Sequence, residues 1–256
     1  CDGTVDLDVH STSIISNLDN TLMVSTLPWI FSDYQAAEDA FYGAGGEYID
    51  SVLQTKGLYY LGAVHNGFKA MTNSKHPIEK PEDLKGLKMR IPGGDFFSAF
   101  YTAFGASPQA MSWSEVFTAL QQGTIDGQEN GAPITKSAKM YEVQKYMTVW
   151  NYAYDCDLII CNTKVWDSMD KNTQKLLQEC IKDACDWGNE TIETEEKEII
   201  SEFIKDGMQV EYLSEGQLVP FKELIEDSMN QLKAEYGKEA CEAFSISTDG
   251  VKFKKE

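Results

Sequence analysis

The chain has 256 residues, 42% of them hydrophobic and 25% charged. That balance fits a globular protein and excludes disordered and fibrous classes. With 22 Lys and Arg against 41 Asp and Glu, the net charge of -19 does not suit a phosphate backbone, so no nucleic acid is expected as a partner. No apolar run approaches the length of a membrane span. The opening Cys1-Asp2-Gly3-Thr4 lacks the charged-then-apolar order of an export signal.

Val5, Leu7 and Val9 alternate with Asp6 and Asp8, which predicts a strand over 4–9 followed by a small polar loop, Ser11 to Ser13. Leu27 to Phe31 reads as an apolar bend. Asp33 is placed to cap a helix over 34–53 that Gly43, Gly45 and Gly46 should interrupt. Residues 58–64 read as a buried strand and 87–91 as another, ending at Pro92-Gly93-Gly94. Helices are predicted over 96–104, closed by Gly105, and over 114–122, ended by Gly123. The apolar and aromatic stretch 147–161 predicts one or two strands. After Asp170 a polar helix runs to about Lys205, with Leu176, Leu177, Cys180, Ile181, Ala184 and Trp187 at helical spacing. It is long enough to cross more than one domain. A strand over 208–213 and a helix over 218–236 follow. Strands alternating with helices predict an α/β architecture.

The cysteines at 1, 156, 161, 180, 185 and 241 form no Cys-x-x-Cys pair, and their spacing suits buried small hydrophobes better than a disulfide framework. Cys156 and Cys161 point to opposite faces of a strand. His10, His65 and His76 show no metal-ligand spacing, so no metal is expected. His10 next to Ser11–Ser13 could form a Ser/His pair, yet no nucleophile-elbow pattern supports it. Glu115 and Glu129 could be paired carboxylates for hydrolysis, but neither has a reaction partner in the sequence.

Three ordered stretches carry more. The first is Asn66-Gly67-Phe68-Lys69-Ala70-Met71-Thr72-Asn73. The second is Leu84-Lys85-Gly86-Leu87-Lys88-Met89-Arg90-Ile91-Pro92. The third runs from Trp113 through Gln122-Gly123-Thr124-Ile125-Asp126-Gly127 to Asn130. Their order and spacing resemble the solute-binding proteins of TRAP transporters, the DctP family, and the similarity continues through 139–146 and 162–166.

The resemblance implies a two-domain, periplasmic-binding-protein-like α/β fold with crossing strands and a long domain-spanning helix. The domains would be 1–67 with 156–195, and 68–155 with 196–256. It implies a cleft that closes on its solute by hinge bending. Arg90 would pair with the solute carboxylate, Asn130 would hydrogen-bond the solute, and Trp113 would pack against it. A guanidinium matches a carboxylate with paired donors, and Asn130 offers both a donor and an acceptor. Lys69 stands where the family often has arginine, so it keeps the charge and loses the bidentate geometry. It is either a cleft or a surface residue. Tyr154 and Asp155 either reach the cleft, where Asp155 would accept hydroxyls of a polyol acid, or form a solvated turn. Asn130 either caps a helix near 132–140 or touches solute, or does both.

Members of the family begin with a further strand, helix and strand, so a unit of roughly 30 residues or more is expected ahead of this chain. Cys1 would then be an internal residue rather than a lipid anchor. The expected function is an extracytoplasmic, periplasmic-type receptor that binds a small organic acid, such as a hexuronate, and delivers it to TRAP membrane subunits. It would act as a monomer, with no cofactor and no catalysis. The alternatives are an enzyme that processes small acids on the same scaffold, or a sensor subunit.

Overall fold

The computed structural model describes residues 4–253. Its strands, in chain order, are β1 (Leu7–Ser11), β2 (Leu58–Phe68), β3 (Ala70–Asn73), β4 (Lys88–Ile91), β5 (Ser107–Ala110), β6 (Gly127–Asn130), β7 (Tyr146–Val149), β8 (Tyr154–Asn162) and β9 (Gln209–Tyr212). The first sheet is antiparallel, in the order β1-β8-β2, and the second has the order β5-β4-β6-β3-β7-β9. In the second sheet β3 runs antiparallel to both β6 and β7, while β4 pairs in parallel with β5 and β6, and β7 with β9.

The helices are α1 (Thr12–Ile15), α2 (Tyr34–Phe41), α3 (Ala44–Gln54), α4 (Asp95–Ala103), α5 (Trp113–Gln121), α6 (Ala132–Ser137), α7 (Thr163–Ser168), α8 (Lys171–Lys205), α9 (Glu215–Tyr236) and α10 (Lys238–Ala243). Asp33 caps α2, its Oδ1 accepting the Ala36 N–H at 2.8 Å. Asp170 caps α8 by accepting from Asn172 and Thr173 at 2.9 and 3.1 Å. The predicted helix over 34–53 breaks at Tyr42–Gly43, whereas Gly45 and Gly46 lie inside α3. Gly46 is there for close approach. A Cβ on it would stand 2.0 Å from the Phe41 carbonyl oxygen.

The chain crosses between the sheets at three places. β2 runs into β3 through the single residue Lys69, and β7 returns to β8 through 150–153. These two connections lie side by side, with the Lys69 N–H bonded to the Ala153 carbonyl at 2.8 Å. The third crossing is α8. Ile181 and Cys185 in its first half join Leu61 and Ile159 of the first sheet, and Ile199, Ile200 and Phe203 in its second half join Ala70 and Met147 of the second. Two short strand crossings beside one rigid helix give a two-domain α/β fold with a domain-spanning helix.

The largest apolar cluster connects α4, the 150–153 crossing and α9. The Phe100 and Tyr152 rings stack at 4.3 Å, and Trp150 meets Phe221 edge-on at 5.3 Å. Each such aromatic contributes roughly 1.5–3 kcal/mol by leaving water. α9 lies against α4 and the helical turn Asn20–Thr26, and α10 lies against α3 and that same turn. The C-terminal segment, expected to belong to the second domain alone, therefore touches both sides of the molecule.

Several elements differ from the sequence reading. β1 sits at 7–11 rather than 4–9, because Ser11 continues the ladder opposite Asp157. β2 continues through His65 to Phe68, held along that length by β8. β3, β5 and β6 were not predicted as strands. β6 is Gly-Gln-Glu-Asn, polar throughout yet buried throughout, so it carries no apolar alternation to read. Cys156, Cys161, Cys185 and Cys241 are buried free thiols, with Cys156 and Cys161 in different apolar clusters, and Cys180 is exposed. Cys1 lies outside the described residues.

Candidate binding cleft

A cavity of about 300 Å³ lies between the sheets, where the two strand crossings meet. Arg90, Asn130, Trp113, Lys69 and Asp155, the five residues singled out in the sequence, all line it. A hollow of about 360 Å³ over α3 and α8, lined by Tyr42, Glu47, Asp50 and Lys182 among others, is slightly larger. It gathers no buried charge, so the smaller cavity is the chemically organised one.

Arg90 stands near the end of β4 and is 6% exposed. Its Nε and Nη2 both donate to the Met111 carbonyl, at 3.2 and 3.1 Å. Its guanidinium lies 5.4 Å from the centroid of the Trp113 ring. Met111 lies in the turn after β5 and Trp113 opens α5, so one short stretch of chain aims the guanidinium. Among the described residues no carboxylate forms an ion pair with it. Burial lowers its pKa from the ordinary value, with Glu129 opposing that shift from a distance. Trp113 is 38% exposed and leaves a ring face open beside Arg90.

Lys69, at the crossing, is 3% exposed. Its Nζ is 3.2 Å from Asp155 Oδ2 and 5.5 Å from the Phe97 ring centroid. The sequence left it open between cleft and surface, and the structure buries it in the cleft wall. Asp155 is 2% exposed and also accepts from the Ser13 hydroxyl at 3.0 Å, while its Oδ1 is buried without a partner. Ser13 in turn lies 3.0 Å from the Ser11 hydroxyl. A polar line thus runs Ser11, Ser13, Asp155, Lys69. It engages the serines with Asp155 and not with His10, which excludes the imagined Ser/His pair.

Asn130 ends β6. Its Nδ2 donates to Gln128 Oε1 at 2.7 Å, and Gln128 donates onward to Thr72 Oγ1 at 2.9 Å. It does not cap α6, whose cap position is Gly131 with no side-chain bond. Asn130 lines the cavity with its amide nitrogen engaged by Gln128, so its side-chain oxygen is not used as an acceptor in that bond.

The sequence reading missed the wall supplied by Val9, His10, Ser11, Ser13, Asn66 and Asp157. Asp157 could have been found, because it sits two residues after Asp155 on one strand and shares its face. Burial raises the Asp157 carboxyl above its ordinary value, Asp155 adds to that, and Asn66, donating at 3.3 Å, opposes it.

Tyr154 does not reach the cleft. Alternation along β8 turns it the other way, where its hydroxyl lies 2.6 Å from His65 Nδ1. Glu129 is fully buried on the side of β6 away from Asn130 and accepts from the Tyr101 hydroxyl at 2.7 Å and from the Tyr152 hydroxyl. Burial raises its carboxyl above the ordinary value, with Lys69 the largest opposing influence. Glu115 is held by the Ser112 hydroxyl at 2.8 Å on an exposed helix start, so the two glutamates form no catalytic pair.

Chemically, the cavity offers a buried guanidinium with unused donors, a buried lysine paired with Asp155, an aromatic face, and a polar rim of hydroxyl, amide and carboxylate groups. No helix among the described residues is long and apolar enough to cross a membrane.

Residues 1–235 match the family of bacterial extracellular solute-binding proteins, family 7, known as DctP. The chain is 34% identical over 227 residues to the C4-dicarboxylate-binding periplasmic protein DctP of Rhodobacter capsulatus, covering 88% of this chain and 68% of that protein. Among solved structures it is similar to a sugar acid binding protein from Advenella mimigardefordensis in complex with galactonate. That likeness has a TM-score of 0.90 at 27% identity, over 94% of this chain and 78% of the other. A TRAP periplasmic solute-binding protein from a Polaromonas species, bound to D-erythronate, gives a TM-score of 0.89 at 32% identity, over 96% of this chain and 80% of the other.

Proposed function

This chain belongs to the DctP family of extracellular solute-binding proteins, which are transport receptors rather than enzymes, and from that membership we propose that its cavity binds a hydroxylated monocarboxylate. One observation carries the reading: Arg90 is buried without an acidic partner among the described residues and lines the cavity with donors to spare. A buried, unpaired cation is costly, and a ligand carboxylate is the group that relieves it while using the fork geometry of a guanidinium.

Each of the five residues has a role in this reading. Arg90 anchors the carboxylate. Trp113 covers the face of the carbon chain or ring beside it. Asn130 and Asp155 accept from hydroxyls, and Lys69 holds Asp155 in place and adds positive charge. A second carboxylate would meet Asp155 and Asp157 across the cavity. That favours a sugar acid, such as a hexuronate or an aldonate, over a C4-dicarboxylate. The Advenella and Polaromonas proteins, with galactonate and D-erythronate, support this class.

Closure would bend the chain at Lys69 and at 150–153, bringing 1–67 with 156–195 toward 68–155 with 196–256. The closed form would deliver its solute, as a monomer outside the cytoplasm, to the membrane subunits of a TRAP transporter. Titration calorimetry with galacturonate and galactonate on the wild type and on Arg90→Glu tests the assignment. The variant should lose all measurable heat of binding, and retained affinity would overturn the role of Arg90.

A further inference from the structure

Away from the cleft, α2, β2 and the middle of α8 bring Glu38, His65 and Glu193 together. His65 is 3% exposed, and its Nε2 is buried with no hydrogen-bond partner among the described residues. That nitrogen lies 3.5 Å from Glu38 Oε1 and 3.6 Å from Glu193 Oε1. Ligand atoms of all three residues lie within 4.8 Å of one another. We propose that Glu38, His65 and Glu193 form a binding site for one divalent transition-metal ion of the zinc class.

The spacing fits that ion. A tetrahedral centre with bonds of about 2.0–2.1 Å sets its ligands about 3.4 Å apart, wider than the roughly 3.0 Å of an octahedron. One imidazole and two carboxylates are a donor set that zinc accepts, with water in the fourth position. Glu193 lies on the exposed side of α8, which leaves that position open to solvent and provides a path of entry.

The surroundings orient the donors as an outer shell does in metal sites. Tyr154 holds His65 Nδ1 at 2.6 Å, and the Tyr34 ring lies 4.5 Å from the imidazole. Asn189 accepts the His65 main-chain N–H at 2.8 Å and donates to Glu38 Oε1 at 2.7 Å. It is also one turn before Glu193 on α8, so a single residue fixes all three donors relative to one another. With Nδ1 engaged by Tyr154, Nε2 is the ring nitrogen left to face the two glutamates. A neutral imidazole is the form that ligates a metal. The ion would tie α8 to β2 four residues before the chain crosses at Lys69. Sequence spacing gave no sign of it, because the donors come from three separate elements.

The test uses the full chain, stripped with chelator and carrying Cys180→Ser so that the exposed thiol takes no part. Zn²⁺ is titrated against a chromophoric competitor, and Co²⁺ is followed by visible absorption. The expected result is one ion per chain with the intense cobalt spectrum of a tetrahedral site. Glu38→Gln and Glu193→Gln should each weaken binding tenfold or more, and His76→Ala, at an exposed histidine elsewhere, should not. These glutamates are not fully buried, so the variants should keep the fold, which a thermal melt checks. No uptake by the wild type, a weak octahedral cobalt spectrum, or wild-type affinity in both glutamine variants would overturn the proposal.

Discussion

Arg90→Gln separates a binding residue from a structural one, because its two effects should have different sizes. In the ligand-bound state the change removes the charged partner of a buried carboxylate. Losing one member of such a pair costs about 2–5 kcal/mol. At about 1.4 kcal/mol per factor of ten, the dissociation constant should rise roughly thirtyfold to several thousandfold. In the ligand-free state opposing terms nearly cancel. The variant loses two hydrogen bonds to the Met111 carbonyl, worth about 1.5–3 kcal/mol each for a charged donor, and the contact with Trp113. It also removes a desolvated cation whose burial costs several kcal/mol. The ligand-free melting temperature should therefore move by no more than a few degrees, at about 2–4 °C per kcal/mol for a chain of this size. Arg90→Lys should fall between wild type and Arg90→Gln in affinity, since it keeps the charge and loses the fork. Scanning calorimetry without ligand and titration calorimetry with a sugar acid read the two effects. A melting temperature lowered by more than about 10 °C, with affinity unchanged in the protein that remains folded, would refute the reasoning and make Arg90 a structural residue.

Lys69→Met breaks the buried pair with Asp155 and should cost about 3–5 kcal/mol, a fall of roughly 6–20 °C in melting temperature; Lys69→Met with Asp155→Asn should recover part of it, and the two losses adding in full would argue against coupling. Gly46→Ala puts a Cβ against the Phe41 carbonyl and should cost about 1–3 kcal/mol in thermal or denaturant unfolding, with ligand affinity unchanged. Glu129→Gln tests a titration. The Glu129 carboxyl is raised above its ordinary value of 4.5 by burial, so the folded state keeps its proton to higher pH than the unfolded state does. The stability this group contributes is full below about 4.5 and is lost as pH rises through the folded value. Denaturant melts from pH 4 to 8 should then show wild type losing stability relative to Glu129→Gln as pH rises, and a flat difference would contradict the shift.

The legible parts of this protein follow from local signals. Asp33 and Asp170 start helices because a capping carboxylate must precede its free amides, and Gly105 and Gly123 close helices in left-handed backbone at φ 72° and 69°. Cys156 and Cys161 fall into different clusters because strand alternation requires it. Lys69, Arg90, Trp113 and Asn130 were readable through ordered motifs rather than through any one position, Asp155 only as an open alternative in the crossing-strand region, and all five line one cavity. What escaped depends on partners distant in sequence. β6 is polar and internal because β3 and β4 satisfy its backbone and Tyr101 and Tyr152 receive Glu129. The sequence treats Tyr154 and Asp155 as a pair that either reaches the cleft or forms a turn, but adjacent strand residues face opposite ways, so only Asp155 lines the cavity. Ser13 joins the site only through its bond to Asp155, 142 residues away. Glu38 and Glu193 meet His65 only after α2 and α8 fold onto β2.

Titration calorimetry of the wild-type chain with galacturonate, galactonate, succinate and neutral galactose tests the central claim most directly. The account predicts one site per chain, binding of the sugar acids, weaker binding of succinate, and no heat with galactose. Galactose binding as tightly as its acids, or a cooperatively folded protein that binds none of the acids, would contradict a carboxylate receptor built around Arg90.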